Sequence, residues 1–211
     1  MLVAWPFVQT DMPYHLVLAS ASPARRALLT AAGIDAEVMV SGVDESTVEA
    51  TDPQTLCLAL ARMKARTVAA RMKADPGTLV LGCDSVLAFD GEILGKPVDA
   101  DDATKRWRNM RGRSGVLHTG HHLTDVVSGR QAEDVGSTVV HFSDITDEEI
   151  GAYVDTEEPL HVAGAFTIDG RGGAFVERIE GDHGNVVGLS LPLLRRLLAQ
   201  LDVPITTLWR P

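Results

Sequence analysis

The stretch from Leu79 to Pro97 constrains this chain most, because it joins an apolar run, an embedded acid and a two-residue turn signal. Leu79-Val80-Leu81-Gly82-Cys83 reads as a buried strand. Asp84 interrupts it, and an acid among apolar neighbours has to be solvated, paired or bound to a cation. Asp90-Gly91 predicts a tight hairpin, since both central residues of a type I′ turn need positive φ. Folding there pairs Phe89 with Glu92, and counting outward pairs Ser85 with Lys96. An acid and a lysine then arrive together at the open end of one hairpin. Strict alternation sets Asp84 and Lys96 on opposite faces, and a bend or bulge at Gly95 relaxes that. Two readings stay open on these residues alone: a structural ion pair beside a turn, or an active-site acid with its cation.

A chain of 211 residues suggests one fairly large domain or two small lobes. Hydrophobic residues make up 45% of it, enough for a sizeable core. No segment approaches the roughly 18 apolar residues of a membrane span, so no membrane partner is expected. The formal charge of -10 argues against a nucleic-acid polymer as partner, while leaving room for a local basic pocket. Cys57 and Cys83 sit in apolar surroundings and read as core residues of a reducing, cytoplasmic compartment. No Cys/His spacing of the metal-binding type is present. Residues 1–13 lack the basic start and cleavage site of a signal peptide and read as a poorly ordered extension. Met12 offers a second possible start within it, and a single domain is expected over residues 14–211.

Leu16-Val17-Leu18-Ala19 is a short apolar strand that feeds Ser20-Ala21-Ser22-Pro23-Ala24-Arg25-Arg26. Ser22 is a good N-cap and Pro23 suits the first helical position. Helix N–H groups, the helix dipole and the two guanidinium forks make this a plausible anion turn. An ordinary capped helix with solvated arginines fits the same residues. Gly33 ends the helix, Ala36–Val40 is a second strand, and Asp44-Glu45 is an acidic pair in a loop. Such a pair is usually a solvated turn and is also what a divalent cation needs nearby. Asp52-Pro53 caps a long helix with Leu56, Leu60, Met63 and Ala70 assigned to one face, and Lys64 reads as a surface lysine.

After the central hairpin, Asp99–Met110 reads as an amphipathic helix. Strands follow near Val116–Val127 and Glu133–Phe142, turning at Ser128-Gly129-Arg130. Thr146-Asp147-Glu148-Glu149 is a capping box opening a helix to Val154. Ala163–Ile168 and Ala174–Ile179 read as strands, and Leu191–Leu201 as a closing helix. Gly170-Arg171-Gly172-Gly173 lacks the strand–turn–helix context of a dinucleotide fingerprint and reads as a loop. An Asp/Glu set, a Ser-Arg-Arg turn and one or two lysines together suit water attack on a phosphate ester or anhydride with a divalent metal.

The chain resembles the Maf-type nucleotide pyrophosphatases from about Leu16 to Leu198. The resemblance rests on Leu18-Ala19-Ser20-Ala21-Ser22-Pro23 with Arg25-Arg26, Asp44-Glu45, Leu60-Ala61 with Lys64-Ala65, and Gly82 with Asp84-Ser85-Val86. It continues through Ile93-Leu94-Gly95-Lys96-Pro97, Thr119-Gly120, Tyr153 with Glu158, Ala163-Gly164, and Gly181-Asp182 before Asn185-Val186-Val187-Gly188-Leu189. This resemblance implies a mixed α/β, two-lobed fold similar to the inosine triphosphatases, with a central mixed sheet and a nucleotide cleft between lobes. It implies hydrolysis of nucleoside triphosphates to monophosphate and pyrophosphate with Mg²⁺ or Mn²⁺, in a chain that can form a homodimer. The general base maps onto Asp84, phosphate contacts onto Ser20, Arg25, Arg26, Lys64 and Lys96, and metal carboxylates onto Glu45 and Asp84. A nucleotide-binding regulator of cell division, without turnover, is the competing expectation. Departures fall at Ala24, Ser85 and Asp169, where members that prefer dTTP and UTP carry arginine, threonine and glutamine; these three read as specificity positions. Gly115 replaces a usual histidine, and Ser190 a common proline.

Overall fold

The computed structural model describes residues 14–48 and 50–210, so the extension expected over residues 1–13 lies outside the described residues. Strand β1 (His15–Leu18) leads through Ser20-Ala21-Ser22 into helix α1 (Pro23–Ala31), and Ser22 caps the helix by accepting from the Arg25 backbone N–H. Strand β2 is shorter than expected, Glu37–Val38, and runs parallel to β1. Helix α2 (Pro53–Ala69) is capped by Asp52. Strand β3 (Thr78–Phe89) turns at Asp90-Gly91 into β4 (Glu92–Leu94), with φ of 53° and 82° at the two turn residues. Helix α3 (Ala100–Met110) precedes the long hairpin of β5 (Ser114–Asp125) and β6 (Gln131–Phe142). Helix α4 (Asp147–Val154) carries the complete capping box of Thr146 and Glu149. Strand β7 (Val176–Glu180) and helices α5 (His183–Val187) and α6 (Leu191–Gln200) complete the fold.

Among the described residues the strands form one mixed seven-stranded sheet, ordered β2-β1-β3-β5-β6-β7 with β4 paired to β3. β5 covers one edge of β3 continuously, from Leu79↔Asp125 to Ala88↔Val116. The other edge is shared. β1 runs beside it parallel as far as Leu18↔Leu81, and β4 joins it antiparallel from Leu87↔Leu94. Residues 82–86 of β3 therefore have a strand on one side only, and Asp84 sits in the middle of that break.

Alternation along β3 sorts its side chains. Leu79, Leu81 and Cys83 point into a cluster with Leu16, Leu18, Leu29, Leu193, Leu194, Leu197 and Leu198 under α1 and α6. Leu87 and Phe89 share that parity but enter a second cluster, with Trp107, Met110, Phe142, Ile150 and Tyr153 under α3 and α4. These two cores are the two lobes, strung on the same long strands, and Ser85 marks the joint between them. Val80, Gly82 and Asp84 face the opposite side, where Ala65 and Val68 of α2 pack against Val17, Ala19 and Val80.

Three expectations need correction. The buried face of α2 is Cys57, Leu60, Ala61, Lys64, Ala65 and Val68, a rotation away from the face assigned through Leu56, Met63 and Ala70. Lys64 is thus a core-facing residue, not a surface one. The outward count from the hairpin fails beyond Leu87↔Leu94: the chain leaves the sheet at Gly95, whose carbonyl accepts from the Gly164 N–H and from Arg106, and Lys96 is exposed. Ala163–Ile168 is not a strand either. Ala163–Ala165 is a 3-10 turn with positive φ at Gly164 (71°) and Ala165 (59°), which extended backbone does not tolerate.

α2 lies against the sheet because Gly82 and Gly120 have no side chain there. A Cβ on Gly120 would stand 2.5 Å from the Cys57 carbonyl, and one on Gly82 would collide with the Ala61 carbonyl. Backbone cannot yield as a flexible side chain does. Gly120→Ala is expected to destabilise the fold by at least the roughly 1–3 kcal/mol of an overpacked core, read from urea unfolding. Unchanged stability would contradict this close docking.

Candidate active site

The site is built where β3's edge is open. Asp84 reaches out on the α2 side and is 8% exposed; Lys64, 9% exposed, comes up from the middle of α2. The Lys64 ammonium lies 2.5 Å from Asp84 Oδ1 and 2.7 Å from Glu45 Oε1. Glu45 opens a 3-10 turn (Glu45–Thr47) in which the Asp44 side chain accepts from the Ser46 N–H. Burial pushes the Asp84 carboxyl up; Lys64 and then Arg25 pull it back, and the balance lies above the ordinary carboxylate range. An acid of this kind is a stronger base than a solvated one and still has a cation beside it.

On the other face of β3, Arg25 holds the joint together. Its Nε donates to Gly188 O at 2.7 Å, Nη1 to Ser20 Oγ at 3.0 Å and Cys83 O at 2.9 Å, and Nη2 to Ser85 Oγ at 3.1 Å. Four of the five guanidinium N–H groups are engaged by these bonds, which leaves one for a ligand. Position 188 has to be glycine: its φ is 123°, and a Cβ there would come within 3.0 Å of Arg25 Nε. The Thr119 hydroxyl donates to Asn185 O at 2.9 Å, so in its 2.8 Å contact with Ser85 the serine is the donor. Ser85 thereby receives Arg25 on its lone pairs and has no hydrogen left for a substrate.

A third set shapes the loop that carries Asp169. The Glu158 carboxylate accepts from Tyr153 OH (3.1 Å), Thr167 Oγ1 (2.6 Å), and the backbone N–H of Arg171 (3.1 Å) and Gly172 (3.0 Å). Burial pushes the Tyr153 phenol up to about 12, which keeps it a neutral donor. Asp169 lies between the two pinned flanks and is exposed.

The structure thus draws Ser20, Arg25 and Ser85 into one hydrogen-bonded set and Glu45, Lys64 and Asp84 into a second, within two residues of each other on β3. Ala24 is half-buried in the first turn of α1, and Arg26 lies on the outer face of that helix beside Ala27, Thr30 and Val38. Among the described residues, the side chains of Arg26, Lys96 and Asp169 make no hydrogen bond or ion pair with either set. Sequence reasoning missed the roles of Gly188, Thr119 and Asn185. It used Gly82 and Gly120 only as marks of the resemblance and gave them no packing role, although a glycine inside a strand pattern is the mark of close backbone approach.

A mixed sheet whose central strand presents a buried acid, with a lysine on one side and a capped helix start on the other, defines a class. It is a mixed α/β protein that gathers a carboxylate, an ammonium and a guanidinium at one break in its central strand. The family described as "Maf-like protein" matches residues 15–201, and the chain belongs to that family. It is 66% identical over 201 residues to a nucleoside triphosphate pyrophosphatase of Salinispora tropica, covering 94% of this chain and 89% of that one. It is 60% identical to the protein of that name in Streptomyces avermitilis (96% and 98% covered) and 54% identical to that in Microcystis aeruginosa (94% and 100%).

If Arg25 is chiefly the tie across the joint, Arg25→Lys should destabilise the ligand-free protein. A lysine cannot serve four acceptors in a fork, and a lost charged hydrogen bond costs about 1.5–3 kcal/mol. Urea unfolding of the free protein checks this, and wild-type stability with weakened triphosphate binding would instead reserve Arg25 for the ligand.

Proposed function

We propose that this chain hydrolyses nucleoside triphosphates to monophosphate and pyrophosphate, as a hydrolase acting on acid anhydrides. The observation that carries the reading is the buried Asp84 carboxylate, raised by burial and held by Lys64, at the break in β3 where the anion turn of α1 ends. The activity for which its relatives in Salinispora and Streptomyces are named supports it.

In this reading Asp84 takes a proton from a water molecule as that water attacks the phosphate chain. The bond between the α- and β-phosphates breaks, and pyrophosphate departs with the displaced electron pair. The raised affinity of Asp84 for protons favours that step. Lys64, Lys96, Arg26, Ser20 and the one uncommitted N–H of Arg25 are assigned to the phosphates, where they offset the growing negative charge. The donor set of Glu45 and Asp84 fits a divalent ion: two hard carboxylates converge within 2.7 Å of a single cationic nitrogen. Mg²⁺ or Mn²⁺ is typically held by one or two carboxylates together with substrate phosphates. When bound, it would polarise the phosphate and neutralise charge.

Ala24, Ser85 and Asp169 are assigned to selectivity, Ser85 through Arg25 rather than by donating to the base. Ionised Asp169 only accepts hydrogen bonds and therefore suits a base that offers an amine over one that offers a 4-carbonyl. We further assign the enzyme to the cytoplasm and propose a homodimer as its assembly. Among the described residues no helix is long and apolar enough to cross a membrane. A division regulator without turnover is disfavoured, because a pure binder needs the cations but not a buried base.

The test is pyrophosphate release from dTTP, UTP, CTP, GTP and ATP with Mg²⁺ or Mn²⁺. Asp84→Asn is expected to lose about 10²–10⁴ in kcat, the typical worth of a general base, with nucleotide still bound. A variant near wild-type kcat would remove Asp84 from the mechanism.

A further inference from the structure

We propose that Lys64 is a placeholder for the metal: its ammonium occupies the seat between Glu45 and Asp84 in the free protein and leaves it only when a triphosphate takes the ammonium over. This rests on the reading of Glu45 and Asp84 as the metal's carboxylates. Its consequence is an order of binding. A divalent ion alone is turned away, and it is admitted with the triphosphate.

The geometry leaves little choice. The ammonium stands 2.5 Å from one carboxylate and 2.7 Å from the other. A divalent ion at hydrogen-bond or coordination distance from both oxygens would share that same volume. Two cations in contact repel strongly even at the effective dielectric constant of about 20 suited to protein sites. The backbone of α2 cannot move away to make room, because Gly82 and Gly120 bring it into direct contact with β3 and β5. The lysine side chain therefore has to swing. Glu45 is free to follow, since it starts a short 3-10 turn outside the sheet ladder and its side chain is 55% exposed.

Charge explains why a triphosphate is the trigger. With Lys64 in place, two carboxylates and one ammonium leave the seat with one net negative charge. Removing the ammonium leaves the buried Asp84 carboxylate uncompensated beside the half-exposed Glu45, which is unfavourable unless another cation enters. A triphosphate offers the lysine new anionic partners and offers the incoming ion further oxygen ligands. Among the described residues, no group of three or more His, Cys, Asp or Glu side chains is arranged to hold a metal, so these two carboxylates need oxygen atoms from elsewhere to complete a coordination shell.

The experiment is Mn²⁺ binding to the nucleotide-free protein, followed by loss of the electron paramagnetic resonance signal of aqueous Mn²⁺. Wild type is expected to bind weakly. Lys64→Gln keeps an amide donor near both carboxylates but removes the charge, and should bind Mn²⁺ roughly tenfold or more tightly for loss of a neighbouring positive charge. Glu45→Gln added to Lys64→Gln should abolish the gain. A Lys64→Gln protein that melts cooperatively yet gains nothing would overturn the proposal. So would stoichiometric, tight Mn²⁺ uptake by the free wild-type protein, an outcome that decides even if the variant does not fold. Turnover of the wild type is measured in parallel: its absence would refute the pyrophosphatase reading and leave the Mn²⁺ result standing.

Discussion

The buried pair of Lys64 and Asp84 is the contact on which the rest of the site depends. Taking an ammonium and a carboxylate out of water costs several kcal/mol per ion before any mutual attraction is counted. Well-packed apolar residues would serve stability as well or better. The pair forms because the backbone of α2 is pressed onto the sheet at Gly82 and Gly120, which sets Lys64 opposite Asp84. Glycines that weaken two strands are thus what allow a lysine to face inward.

The second dependence is the break in β3's edge. β1 stops at Leu18 and β4 begins only opposite Leu87, so the strand between them would expose unpaired backbone. Arg25 answers part of that need by donating to Cys83 O, while its other N–H groups tie in Ser20, Ser85 and Gly188. One side chain thereby joins the β1–α1 turn, the central strand and the end of α5. Through Ser85 and Thr119 the tie extends to Asn185. The β1–α1 turn and the acid keep a fixed relation because both lean on residues 83–85 of β3.

Much of this was legible in the sequence. The Asp-Gly turn, the caps at Ser22 and Asp52 and the capping box of Thr146 and Glu149 are local chemistry, and the structure has each of them where the residues put it. The mixed sheet follows the expected fold class. Long-range facts were harder. The face of α2 could not be read from its leucines, because small residues such as Cys57, Ala61 and Ala65 give little hydrophobic contrast yet are what a close helix–sheet contact requires. Lys64 accordingly read as a surface residue until the family resemblance raised it. Counting residues outward from the hairpin failed at Gly95 because that carbonyl bonds to Gly164 and Arg106, partners far away in sequence. The consecutive positive φ values at Gly164 and Ala165 leave no trace in an apolar run that otherwise resembles a strand.

The proposed pyrophosphatase activity makes a specific claim about which bond breaks. Phosphorus-31 spectra of a nucleoside triphosphate incubated with the native chain and Mg²⁺ address it directly. Cleavage between the α- and β-phosphates predicts equal growth of nucleoside monophosphate and pyrophosphate, with no diphosphate accumulating. Nucleoside diphosphate and orthophosphate appearing in equal amounts would contradict it.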